Sequence, residues 1–398
     1  MLALRLARGS HPLVLLRRLT VAAASAGVGF LLLCAMAHAL AHPGEPSASL
    51  LRLLWCAVPL AATVYLAVAV ARTDPGTRPR PGLSAIGLGP VRLTAIAATT
   101  TALSTGLGSM AALLVFLQLR GDLTALPFDG AAGRLLAAGV PLPVGAALTL
   151  LAVTPAVSSA AAALALRPRR VRPGEETDPD RPGAPPTAPT GLPWGVALIA
   201  AGLAVEVYAG REATAAGGAA ASAPPLALPG HFDGSPAGVL AGWALTALGL
   251  ALMGPGLTHQ CGRILQGVHP GPTRLLAGRL LMEDARRVGR PLGVVCAVAA
   301  GGVAAWNLYA TGATGPRPFG PLTALGAALV VTCTTATLLT AALESRTTRG
   351  RTAECLREQG APAGLLRNAG VVRAGVLLAV FAPLTWTVAT LAAFPLLR

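Results

Sequence analysis

The chain has 398 residues, 54% of them hydrophobic and only 12% charged, with a formal net charge of +15. A mean hydropathy of +0.64 excludes a soluble globular protein of this length. The charge calls for a topological explanation rather than nucleic-acid binding, because the basic residues alternate between short loops instead of forming one patch.

Apolar runs of about 20 residues, enough to cross a bilayer, recur along the sequence. They fall at 19–42, 50–71, 93–118, 139–166, 192–210, 237–257, 291–310, 319–343 and 369–395. The predicted fold class is therefore an all-α polytopic membrane protein of about nine (eight to ten) transmembrane helices. The first run follows Arg5, Arg8, Arg17 and Arg18 and is too long for a cleaved signal peptide, so it reads as an uncleaved anchor. With the N-terminus cytoplasmic, 25 of the 31 arginines fall on the inner side. That bias predicts a multi-pass protein of the cell (inner or plasma) membrane in this orientation.

Residues 1–166 make a first membrane half of four spans, the fourth interrupted by Pro141, Pro143 and Pro155. The stretch 167–190 is rich in Pro, Arg and acids, with nothing to bury, and reads as a flexible cytoplasmic linker. Residues 191–258 form a connecting transmembrane hairpin. It carries Glu206, an acid within a predicted span and so a functional candidate by default. Its place about a turn from the outer end predicts snorkelling to water, with a proton or ion site as the alternative. Residues 259–398 make a second half of three spans. It opens with a predicted amphipathic surface helix, Leu275 to Arg287, that resembles Leu2 to Arg8 before the first span. Either segment is a topology-setting flank or an elbow that moves with its span.

Between spans eight and nine lies a charged stretch, Glu344 to Arg367, long for a passive turn. Within it Ala353 to Gln359 predicts a short helix stopped by Gly360 and Pro362. Such a knob is a docking point for a soluble partner, or else a solvated loop that sets topology. The last third of the chain also echoes the first about 273 positions on. Arg17, Leu19, Val21 and Gly29 fall opposite Arg290, Leu292, Val294 and Gly302, and Leu83 and Gly87 opposite Leu356 and Gly360. The order of parts repeats too, predicting two pseudo-repeated halves.

These features resemble the FtsX-like (MacB-type) permeases, membrane subunits of ABC transporters. That family carries a cytoplasmic pattern like E-x-x-x-L-R-x-x-G-A, which Leu356, Arg357, Gly360 and Ala361 match, while Thr352 stands at the glutamate position. The resemblance implies a docking loop for a separate ABC ATP-binding subunit, made here by Glu354, Leu356, Arg357, Glu358, Gly360 and Ala361. It also implies a lipid, peptide or hydrophobic cargo. The chain departs from the family in its short outer loops (Pro43–Leu50, Thr311–Pro318) and in lacking a fourth span in the second half.

Lacking lysine, the chain has no Walker A loop of its own. No catalytic motif is visible, and no enzyme activity or cofactor is predicted. His259 and His269 fall on the cytoplasmic side and His231 and Asp233 in the outer loop, at spacings that match no metal-ligand pattern. Cys34, Cys56, Cys296 and Cys333 fall in spans and Cys261 and Cys355 in cytoplasmic loops, all read as structural thiols. Small residues at four-residue spacing (Ala23 with Gly27; Ala297, Gly301, Ala305) suit close packing of halves or a homodimer. The expected partners are thus the lipid bilayer, an ABC ATPase and a second copy, with no nucleic acid. An ion-coupled secondary transporter and a non-transporting scaffold are the rival readings.

Overall fold

A computed structural model describes residues 12–44, 46–74, 89–122, 136, 138–167, 189–215, 237–267, 271–311, 320–358, 360 and 362–393. Among these, every regular element is an α-helix, the one open-ended element that satisfies its own backbone in lipid. Among the described residues, nine helices are long and apolar enough to cross a membrane, and each overlaps one predicted span.

Five helices come from the first part of the chain: α1 (Pro12–Ala41), α2 (Pro46–Trp55), α3 (Ala57–Thr73), α4 (Pro90–Arg120) and α5 (Val144–Leu166). Span two starts in α2, passes Cys56 and continues as α3. Pro90 opens α4, where its missing N–H costs nothing. Gly121 closes α4 at φ 89°, giving its N–H to the carbonyls of Leu117 and Gln118. The prolines that complicated span four are accommodated, since α5 begins just after Pro143 and absorbs Pro155.

The remaining helices are α6 (Gly191–Ala215), α7 (Ala237–Gln266), α8 (Pro272–Glu283), α9 (Ala285–Thr311), α10 (Pro321–Glu358) and α11 (Ala363–Ala393). The chain divides into two compact units. Unit 1 contains residues 1–171, 227–232 and 317–337, and unit 2 contains 172–226, 233–316 and 338–398. The hairpin α6–α7, expected as a separate connector, is an integral part of unit 2. The first part of α10 belongs to unit 1 and its remainder to unit 2.

Unit 1 is built around α1. Its Val28, Leu31, Leu32 and Leu33 are buried, with Phe116, Leu66 and Leu151 supplied by α4, α3 and α5. A buried hydroxyl joins two helices: Ser25 Oγ donates to the Thr105 carbonyl at 2.7 Å. Gly108 lies against the backbone of Ala22 there, so α1 and α4 touch main chain to main chain. Gly27, expected to serve packing, faces Leu329 of α10.

Unit 2 is built around α7, whose glycines fall on two faces. Gly242, Gly249 and Gly256, seven residues apart, meet Gly202, Ile199 and Leu192 of α6. A Cβ on Gly202 would stand 2.7 Å from the Gly242 carbonyl oxygen, and one on Gly195 2.8 Å from that of Gly249. On the other face Gly254 meets Gly289 and Gly293 of α9. Since lipid is as apolar as leucine, such contact of smooth surfaces supplies the dispersion energy that burial from water supplies elsewhere.

Candidate functional site

The arginine-rich end of unit 2 brings together two features that the sequence separates: the elbow and the base of span nine. Helix α8 follows Gly271 with Pro272 in its first turn. It exposes Arg274, Arg279 and Glu283 and buries Ala277, Gly278 and Leu281. Its apolar face lies on protein rather than lipid. Ala277 packs with Leu265 of α7 and Ala369 of α11, and a Cβ on Gly278 would reach 2.7 Å from the Gly262 carbonyl.

The predicted single helix through Arg287 is corrected: α8 ends at Glu283, and Arg286 and Arg287 open α9. The break is Asp284, at φ −91° and ψ 2°, in the bridge region between helix and turn. Backbone bonding survives there, because the Asp284 N–H donates to the Leu280 carbonyl at 3.1 Å. The Asp284 carbonyl in turn accepts from Arg287 and Val288 at 2.9 Å. The Asp284 side chain turns inward instead of joining the solvated charges. Its Oδ2 lies 3.2 Å from Arg373 Nη1, and both side chains are only 11% exposed.

Arg373 lies on α11, inside the apolar run of span nine. Sequence reasoning missed its role, although an arginine within a span is itself a signal of a buried partner or a polar path. Nothing in the sequence pairs it with Asp284, 89 positions earlier.

The candidate docking loop is also corrected. A loop holding a short helix at 353–359 was expected, yet α10 runs unbroken from Pro321 to Glu358. Charges end a hydrophobic span, but Glu, Arg, Ala and Leu are good helix formers and do not end a helix. The connection shrinks to four residues, 359–362, with exposed Gly360 at φ +90° and Pro362 just before α11. Only glycine takes that left-handed conformation without a penalty. Glu354 and Glu358 are exposed on the last turns of α10, and Leu356 and Arg357 lie in the same turns. Ala361 falls outside the described residues, as do His231, Asp233 and His269.

Glu206 does not snorkel. It is 1% exposed, with Thr246 Oγ1 of α7 donating to its Oε1 at 3.2 Å. The close glycine approach of α6 to α7 draws it inward: a Cβ on Gly242 would touch Glu206 Cγ at 2.5 Å. Its second oxygen, Oε2, has no hydrogen-bond partner among the described residues. Replacing Thr246 with valine should lower the unfolding free energy in detergent by about 0.6 kcal/mol, the average for a hydrogen bond between membrane helices. Glu206→Gln, which retains an acceptor for the Thr246 hydroxyl, should lose less than Thr246→Val does. Equal losses in the two variants would contradict a simple clasp.

Two further placements change. Cys261 and His259, expected beyond the end of span six, are buried within α7, which runs on to Gln266. Neither ring nitrogen of His259 has a partner among the described residues. Of the small-residue stripe on α9, Gly301 faces open space. Among the described residues, no three His, Cys, Asp or Glu side chains converge on one point as a metal site would require.

Helix α11 begins about two to three helical turns (~5.4 Å each) before Arg373. The ion pair and the Ala277–Ala369 contact tie it to α8 and to the break between α8 and α9. No family model, curated protein or solved structure matches the chain.

Proposed function

We propose that the chain is the permease subunit of an ABC transporter of FtsX-like type, driven by a separate ATPase that docks on the α10–α11 turn. The observation that carries this reading is the buried Arg373–Asp284 pair, which joins the helix after the turn to the elbow of α8 and α9. A passive loop needs no such joint. A permease moved by a motor does, because force at the surface must reach the spans. The exposed Glu354, Glu358 and Gly360 suit a contact surface, and the positive φ at Gly360 fixes the direction in which α11 re-enters.

Cargo in this reading is a lipid, peptide or other hydrophobic molecule, and the N-terminus and the α10–α11 turn face the cytoplasm. The experiment is co-purification with the ABC ATPases of the source cell, together with ATPase activity in the presence of the permease. Gly360→Val should reduce recovery of the ATPase about tenfold or more, since a β-branched residue resists φ +90°. Deletion of 353–358 should abolish it. Undiminished co-purification and stimulation in both variants would remove this turn as the docking site.

A further inference from the structure

Helix α1 closes on two histidines one turn apart, His38 in its last turn and His42 just past Ala41. Residues four apart on a helix share a face. The helical ladder carries through to the second of them, since the His42 N–H donates to the His38 carbonyl at 3.0 Å. Their rings stand face to face, with centroids 4.2 Å apart and planes inclined at 27°. His42 is exposed and His38 half-buried, so solvent reaches the pair.

A second contact settles which nitrogen of His42 carries the proton. Its Nδ1 lies 3.1 Å from the same His38 carbonyl oxygen. A carbonyl oxygen only accepts, so Nδ1 is the donor of that ring and Nε2 holds the lone pair. Histidines that ligate metals are prepared in this way: the other ring N–H goes to a carbonyl or carboxylate, which fixes the ring and makes the ligating nitrogen more basic. The site also lies where a helix favours positive charge, because the last carbonyls of α1 carry its partial negative end. Arg17 and Arg18 stand about 30 Å away at the other end of that helix. The nearest arginine in sequence is Arg52, in the last turn of α2.

Two imidazoles in neighbouring positions on one ion, each nitrogen at about 2.0–2.1 Å, have ring centres roughly 4.5–5 Å apart. The backbone therefore already holds the two rings near the spacing of a shared ion. A turn of the His38 ring about χ2 brings its nitrogen round to meet that of His42. Two ligands are fewer than the three or more that a zinc site takes from protein. They suit a tetragonal ion that fills its other positions with water, and the affinity order for such a site puts Cu2+ above Ni2+ and Zn2+. We propose that His38 and His42 together bind one divalent late transition-metal ion, Cu2+ most tightly, at this end of α1. The proposal is independent of any ATPase, cargo or membrane orientation.

The test uses the full chain in detergent, purified without a histidine tag and titrated with Cu2+ under electron paramagnetic resonance. Wild type should bind one Cu2+ with a tetragonal spectrum split by two imidazole nitrogens, and a large excess of Mg2+, which prefers oxygen ligands, should not displace it. His38→Gln and His42→Gln should each weaken binding by about tenfold or more, since even the outer-shell partners of a metal site are worth about 10–100-fold. His259→Gln, buried in unit 2, should bind as wild type does.

Wild-type affinity in a folded His38→Gln or His42→Gln variant would overturn the pair. A spectrum without the two nitrogen couplings, or displacement by Mg2+, would mean an adventitious ion only and overturn the site. An equal loss in His259→Gln would place the copper elsewhere and overturn it too. Should one of the two single variants fail to fold, the other decides alone.

Discussion

Arg373→Met should destabilise unit 2 by about 3–5 kcal/mol, the usual cost of removing one partner from a buried ion pair. The reason is asymmetric desolvation. Asp284 stays at 7% exposure at the break between α8 and α9, and without the guanidinium its charge loses an opposite charge that helps to offset its burial. Arg373→Lys should recover part of the loss, because it restores a positive charge near Asp284 but on a shorter, flexible stem. The double variant Asp284→Leu with Arg373→Met should return most of the stability, since an apolar pair of similar volume avoids the desolvation cost. Thermal unfolding of wild type, Asp284→Leu, Arg373→Met and the double variant in one detergent gives the coupling energy directly.

Function separates these variants in a way stability does not. If the pair transmits load to the elbow, the double variant should fold and still bind an ATPase while losing stimulation of its activity. A double variant that is stable and fully stimulated would leave the pair a structural tie and nothing more.

The spans were legible because lipid demands runs of about 20 apolar residues, and every predicted run overlaps a helix here. Helix ends were not legible. Hydropathy marks where lipid stops, and α7 and α10 continue beyond that point because Thr258 to Gln266 and Glu344 to Glu358 are still able to form helix. The Asp284 break has no proline or glycine to announce it, and its side chain pairs with Arg373, far away in sequence. Glu206 was misplaced for a related reason. Its position along the helix was readable, whereas the face it occupies depended on Gly202 and Gly242 bringing two helices into contact. The repeat, likewise, predicted halves, but the units exchange the first part of α10. Packing between helices is decided by faces and partners that a one-dimensional pattern does not carry.

Gly254→Val should be the most disruptive single substitution in α7. A side chain there would meet the carbonyl oxygen of Gly289 and come 3.1 Å from the Cα of Gly293. Those are main-chain atoms of α9, so no rotamer change can make room. The same crossing holds Gly289 with its would-be Cβ 2.6 Å from Pro255 Cα, and Gly293 with its own 2.6 Å from the Leu250 carbonyl. Separating the helices to admit one side chain therefore opens three contacts at once. Overpacking a well-filled core costs about 1–3 kcal/mol where side chains can adjust, and rigid backbone on both sides places this site at or above the top of that range. Gly301→Val on α9, where a side chain would find open space, is the matched control and should lie within about 0.5 kcal/mol of wild type. Size-exclusion profiles and unfolding midpoints of the two variants decide the matter. Similar behaviour in both would mean that α7 and α9 are not held together by this glycine crossing. The joint at Asp284, one turn before Gly289, would then lose the rigid seat that load transmission through α9 requires.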